Sequence, residues 1–123
     1  MDELYREHIL DHYKHPRNFG VLDHANASSS DNLVSCGDEL SMRLLIDKKT
    51  NVIKDVKFTG HGCAISMASA SMLTEEIKGK SIAIVAKYDK DTVLRLLGIT
   101  LTPTRLKCAL LSLEIVTKAL RNV

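Results

Sequence analysis

Within the eight positions from Ala64 to Ser71 the chain places six small residues: Ala64, Ser66, Ala68, Ser69, Ala70 and Ser71. Small side chains at helical spacing let a neighbouring element approach the backbone closely. The segment is therefore expected to form a helix from Ala64 to about Lys78, stopped by Gly79 and packed tightly against its surroundings. Gly60-His61-Gly62 before it reads as a sharp turn.

The remaining elements follow from pattern and punctuation. Asp2 to Lys14 reads as a helix with Leu4, Ile9 and Tyr13 on an apolar stripe, Tyr5 and Leu10 beside it, and Pro16 ending it. His24 to Asn32 is short, polar and serine-rich, a loop that has room for an edge strand. Leu40–Ile46 and Val52–Phe58 read as two strands joined by Asp47-Lys48-Lys49-Thr50-Asn51. Met42, Leu44 and Ile46 alternate cleanly along the first, whereas Val52, Val56 and Phe58 alternate less cleanly along the second. Two short helices are expected over Ser81–Tyr88 and Asp91–Leu97, the second ended by Gly98. A last helix starts at Thr102-Pro103 and carries Leu106, Leu110, Leu113 and Leu120 on one side. Helix, strands, then helices is an α+β order.

A chain of 123 residues is expected to form one domain, 1–123, large enough to need no disulfide framework. A net charge of +2, five aromatic residues and no Trp argue against a nucleic-acid surface. The longest apolar runs, such as Ile82–Ala86, are too short to span a bilayer, and the acidic start Met1-Asp2-Glu3-Leu4 is unlike a signal peptide. The expectation is a cytoplasmic protein with no nucleic-acid or membrane partner. In that compartment an odd number of cysteines points to thiols or metal ligands rather than disulfides.

The three cysteines are not spaced as CxxC pairs. Cys36 lies at a loop-to-strand junction in Val34-Ser35-Cys36-Gly37-Asp38, Cys63 immediately precedes the small-residue helix, and Cys108 lies in the first turns of the last one. A thiol at a helix N-terminus meets the positive end of the dipole, a setting that suits metal-binding thiolates. This applies to Cys63, and to Cys108 if its helix begins close to it. Gly37 and Gly62 beside cysteines allow tight backbone turns, and Asp38 offers an oxygen two positions from Cys36. Three thiolates and a carboxylate make a four-coordinate set for zinc or for a small iron–sulfur cluster. Composition and spacing alone leave this open against three unrelated core cysteines.

Read together with their neighbours, these residues carry a resemblance. Asp11-His12-Tyr13-Lys14-His15-Pro16-Arg17-Asn18-Phe19-Gly20 resembles the N-terminal signature of the NifU-like scaffold family, which includes the IscU and SufU types. Cys36-Gly37-Asp38 is similar to its first cysteine motif. Gly62-Cys63-Ala64-Ile65-Ser66-Met67-Ala68-Ser69-Ala70-Ser71 is similar to its second in SufU-type wording, and Lys107-Cys108-Ala109 to its third. The resemblance implies an antiparallel sheet of about three strands with helices on one face, and Cys36, Asp38, Cys63 and Cys108 converging at one exposed end. It implies an iron–sulfur cluster assembly scaffold, not itself an enzyme. Such a scaffold takes persulfide sulfur from a pyridoxal-phosphate cysteine desulfurase, holds a transient [2Fe–2S] cluster or iron, and passes the cluster to acceptor apoproteins. The alternative it implies is a zinc-dependent sulfurtransferase of the SufU type, with zinc in the resting form. The sulfur acceptor is Cys36 by likeness to the SufU type or Cys108 by likeness to the IscU type.

Two departures bear on that choice. Lys107 stands where the IscU type has a histidine, as in the SufU type, yet the stretch from Cys63 to Cys108 lacks the extra segment of SufU-type proteins. Leu101-Thr102-Pro103-Thr104-Arg105 only partly matches the Leu-Pro-Pro-Val-Lys peptide that recruits a dedicated Hsp70 chaperone, which puts that partner in doubt. Lys107 and Arg105 are candidates for electrostatic tuning of the site. His12, Pro16, Arg17, Asn18, Gly20, Gly37 and Gly62 are structural members of the motifs, with His12 expected to hold the Pro16-Arg17-Asn18 turn by hydrogen bonding. His8 and His15 read as solvent-facing, and His61 as a turn residue.

Overall fold

The computed structural model describes residues 2–34, 37–121 and 123, with side chains from Arg6 onward. Its elements run α1 (Asp2–Lys14), β1 (Ala27–Leu33), β2 (Asp38–Asp47), β3 (Val52–His61), α2 (Ala64–Ile77), α3 (Ile82–Val85), α4 (Lys90–Leu97) and α5 (Pro103–Arg121). The three strands form one antiparallel sheet in the order β1-β2-β3. The serine-rich stretch is its edge strand: Ala27 is buried, Ser28 and Ser30 are exposed, and Lys118 on α5 pairs with Asp31 at 2.7 Å.

Along β2, Asp38, Leu40, Met42, Leu44 and Ile46 all face inward, while Glu39 and Arg43 face water. The helices cover that one inner face, α5 against β1 and β2 and α2 against β3. The irregular alternation in β3 has a cause. Leu45 pairs with Asp55 but Ile46 pairs with Ile53, so Lys54 is an extra residue in a bulge. The bulge shifts the pleat by one position, and Ile53 rather than Val52 joins Val56 and Phe58 in the core. β3 also runs to His61, three residues past its expected end at Phe58 and into the expected Gly60-His61-Gly62 turn. Gly60 there pairs with Leu40, and a side chain on it would meet the Glu39 carbonyl.

α2 lies at the centre, buried from Ile65 through Thr74 without a break. It touches α1, α4, α5 and β3, and its small residues are what allow so many neighbours at once. The leucine stripe of α5 is not its innermost face. Cys108, Ala109, Leu111, Ser112, Leu113, Ile115, Val116 and Ala119 are buried, so Leu113 of the expected stripe does reach the core, while Leu106, Leu110 and Leu120 are only half-buried at the margin. α1 is likewise rotated from the expected stripe: Ile9 and His12 face inward, whereas Leu10 and Tyr13 are 40% and 43% exposed. The expected contributions of Leu4 and Tyr5 fall outside the described side chains.

The segment after α1 closes the free edge of β3. Phe58 donates its N–H to the Asn18 carbonyl and Gly20 donates to the Phe58 carbonyl, both at 2.9 Å, and Phe19 stacks edge-to-face on Phe58. Asn18 adopts a left-handed backbone (φ 59°) and its side-chain amide donates to Thr74 of α2. His12, only 3% exposed, sits under this turn with Nδ1 2.7 Å from the Ser71 hydroxyl. The Arg17 N–H donates to the same Ser71 oxygen at 2.8 Å, so one hydroxyl of α2 ties together His12 and the turn that follows α1. The other ring nitrogen, Nε2, faces Glu75 at 3.8 Å. Arg17 also pairs with Asp11 at 2.6 Å, which holds the Asp11 carboxyl below its usual range.

Burial first, then the charges of Arg17 and His8, hold His12 below the ordinary histidine value of 6.5. The unfolded chain therefore takes up this proton first, and stability should fall as pH drops through 6.5 towards the lower folded value. Above 6.5 both states are neutral at this position and the group adds no slope. Urea unfolding at pH 7.5 and 5.5 checks this: wild type should lose more stability on acidification than His12→Gln.

Candidate metal centre

Three side chains from three elements meet at one end of the sheet. Asp38 opens β2, Cys63 caps the N-terminus of α2, and Cys108 lies in the second turn of α5. One ligand atom from each lies within 4.8 Å of the others. Cys63 and Cys108 line a cleft of about 360 Å³ together with Ala64, Ile65, Thr104 and Arg105, and Asp38 is buried behind them.

The carboxylate is held by design of the backbone around it. Asp38 is 1% exposed, and a buried charge is costly unless hydrogen-bonded. Its Oδ1 accepts the Cys63 N–H at 2.8 Å, one of the donors that a helix start leaves without an intrahelical partner. Oδ2 is left 3.9 Å from the Cys63 sulfur. One oxygen is thus anchored while the other faces the thiol. Gly62 makes this possible: a Cβ there would lie 2.6 Å from Asp38 Oδ1 and 2.4 Å from Ser66 Oγ. The Cys63 side chain makes no capping bond of its own, so its sulfur is turned to the site.

The expected residues fall into distinct places. Asp38, Cys63 and Cys108 come together, and Cys36 lies outside the described residues. Leu33 and Asp38, which bracket its connection, are paired across β1 and β2. Cys108 is not at a helix start: α5 begins at Pro103, with the Thr102 hydroxyl accepting from Arg105 N–H, so the dipole argument applies to Cys63 alone. Arg105 lines the cleft, and no ion pair joins it to Asp38 among the described residues. Lys107 is exposed and does not line the cleft, being turned a third of a helical turn from Cys108. His61 faces the outer side with Glu39, 3.7 Å away, because strand alternation puts both opposite to Asp38. Ser66 was not singled out as a site residue from sequence. It is buried, its hydroxyl 3.7 Å from the Cys63 sulfur, and its position three residues past a helix-capping cysteine is the signal that points to it.

Two sulfurs and one carboxylate oxygen, with room beside them, form a donor set that fits zinc or iron. The NifU-like N terminal domain family matches residues 4–123 of this sequence. The chain belongs to that family. Among its relatives, the mitochondrial iron sulfur cluster assembly protein 1 of Debaryomyces hansenii is 38% identical over 122 residues, covering 97% of this chain and 67% of that protein. The zinc-dependent sulfurtransferase SufU of Bacillus subtilis is 40% identical over 129 residues, covering 91% of this chain and 86% of that protein. A crystal structure described as a putative scaffold of the SUF system, from Fervidobacterium islandicum, superposes with a TM-score of 0.78 at 32% identity. It covers 93% of this chain and 94% of that one. The NifU-like fold of a three-stranded antiparallel sheet backed by helices is thus shared. No helix among the described residues is long and apolar enough to cross a membrane.

Gly62→Ala tests the cradle of this NifU-like site. The methyl group has to displace the Asp38 carboxylate or the Ser66 hydroxyl, so zinc affinity should drop in a chelator competition. Urea unfolding should show a loss of about 1–3 kcal/mol, the usual cost of overpacking.

Proposed function

We propose that this chain is an iron–sulfur cluster assembly scaffold that receives sulfur from a cysteine desulfurase, builds a [2Fe–2S] cluster on Cys36, Asp38, Cys63 and Cys108, and hands it to acceptor proteins. The observation that carries this reading is the meeting of Asp38, Cys63 and Cys108 from three separate elements, with the two cysteines lining a cleft. Sulfur arrives when a cysteine thiolate attacks the outer sulfur of the desulfurase persulfide. A new S–S bond forms, the old one breaks, and the desulfurase cysteine leaves as thiolate. Of the two expected acceptors, Cys108 is only 2% exposed and offers little surface to an incoming persulfide. Cys36 is the acceptor we favour. Arg105, at the cleft, supplies positive charge beside an anionic thiolate-bound cargo, and Lys107 adds to that charge from further out.

The same donors fit zinc, which when bound would keep the thiols deprotonated and ligated. The second reading, a zinc-dependent sulfur relay, has support in the 40% identity to the Bacillus protein. Length argues for the scaffold. The Bacillus alignment runs over 129 residues, more than the 123 of this chain, so that protein carries residues absent here. The Debaryomyces alignment, at 122 residues, stays within the length of this chain. Acceptor apoproteins and a desulfurase are the partners this function requires, and the altered Leu101–Arg105 peptide leaves a dedicated chaperone outside the proposal.

Anaerobic reconstitution with ferrous iron, a desulfurase, its cysteine substrate and a thiol reductant, which supplies the two electrons that turn each persulfide sulfur into sulfide, separates the readings. Wild type should form a [2Fe–2S] chromophore; a chain that forms none but stimulates the desulfurase only when zinc-loaded is a sulfur relay. Oxygen grips iron less firmly than thiolate, so Asp38 is the ligand suited to release. Asp38→Ala should hold its reconstituted cluster longer and transfer it to an apo-ferredoxin more slowly. Faster loss of the cluster would make Asp38 a retaining ligand instead.

A further inference from the structure

Ser66 stands between two acceptors with a single proton to give. Its hydroxyl is fully buried, 3.0 Å from the Cys63 carbonyl and 3.7 Å from the Cys63 sulfur. With Cys63 as a thiol, its single S–H has Ser66 Oγ at 3.7 Å and Asp38 Oδ2 at 3.9 Å as acceptors, and the serine donates to the carbonyl. A metal-bound sulfur carries no proton and can only accept. That carbonyl is not left unpaired if the serine turns away, because the Met67 N–H also donates to it at 3.0 Å. Rotation about the Cβ–Oγ bond is enough to redirect the hydroxyl, and no heavy atom has to cross the packed core. The missing side chain at Gly62 keeps the space open in which Ser66 Oγ and Asp38 Oδ1 sit side by side.

We propose that Ser66 is a positioning residue of this site: its hydroxyl turns from the Cys63 carbonyl to the Cys63 sulfur when that sulfur binds metal. The inference deepens the function proposed above and rests on it, with Cys63 as a ligand of iron or zinc. A hydrogen bond to the ligating sulfur draws charge from it, aligns its lone pair and tunes the bound metal. Asp38 and Ser66 then divide the work around Cys63, one fixing its backbone N–H and the other its sulfur.

The test uses the full chain as wild type, Ser66→Ala and Ser66→Thr, with zinc and cobalt(II) as probes. Outer hydrogen-bond partners are typically worth about ten- to a hundredfold in metal affinity. Ser66→Ala should bind zinc weaker by roughly that factor. Its sulfur-to-cobalt charge-transfer band should move to lower energy, and its metal-free urea midpoint should stay close to wild type. Ser66→Thr, which keeps the hydroxyl, should restore both affinity and band position. Unchanged affinity and band in Ser66→Ala would overturn the inference, as would a loss of affinity that Ser66→Thr leaves uncorrected although it folds. If neither variant folds without metal, the wild-type cobalt–sulfur stretching frequency in H2O and D2O decides: a shift supports the bond and no shift overturns it. A wild type that shows the thiolate–cobalt band but never builds a cluster removes the scaffold reading while leaving the Ser66 result standing. A wild type that binds neither metal overturns both.

Discussion

The close packing around α2 is the constraint on which the rest of the molecule depends. A helix buried along ten successive residues has no polar face to show water, so it has to be lined by neighbours on every side. Four elements supply that lining, and alanines and serines are the side chains that let them in. The hydroxyls bring a cost, since a buried oxygen needs a partner. Ser71 and Thr74 meet it by binding the α1 turn through His12, Arg17 and Asn18, so the polar groups of α2 also dock the N-terminal segment.

The same helix sets the metal site. Its first N–H groups point out of the core at the end where β2 begins, and one of them holds the Asp38 carboxylate. A buried carboxylate beside two thiols is poorly suited to an empty core and well suited to a cation. The close approach of α5 to α2, made possible by small residues on both, brings Cys108 beside Cys63. Stability and chemistry therefore share one interface: the packing that builds the core also sets the distance between ligands.

Edges and ends of the sheet have separate duties. The outer edge of β3 is closed at one end by Asn18–Gly20 and at the other by Gly79 and Lys80, whose backbones exchange bonds with Ile53. This removes a site of strand-to-strand association. The opposite end, where β2 starts and β3 finishes, is left to the cleft. Burial of Cys108 and partial exposure of Cys63 at that end give a site with a closed floor and an open rim, the arrangement a cargo that has to enter and leave requires.

Much of this was readable before any fold was known. Proline, glycine and capping residues bounded α1, α2, α4 and α5, because those signals act through local backbone geometry. The clean alternation of Met42, Leu44 and Ile46 marked a strand with one covered face, and the family motifs pointed to Cys36, Asp38, Cys63 and Cys108, of which the last three lie close together. Tertiary structure decided what depends on partners distant in sequence. The bulge at Lys54 sets which β3 residues face the core, and the serine-rich edge strand exists only because β2 and α5 are there to receive it. Rotation of α1 and α5 away from their apolar stripes reflects which neighbour comes closest, not which residue is most apolar. His12 is buried against Ser71, 59 positions away, a contact that no local pattern encodes, whereas Ser66 reaches the Cys63 sulfur through the local three-residue spacing of a helix start. Periodicity and capping are properties of a segment; register, rotation and ligand distance are properties of the whole packing.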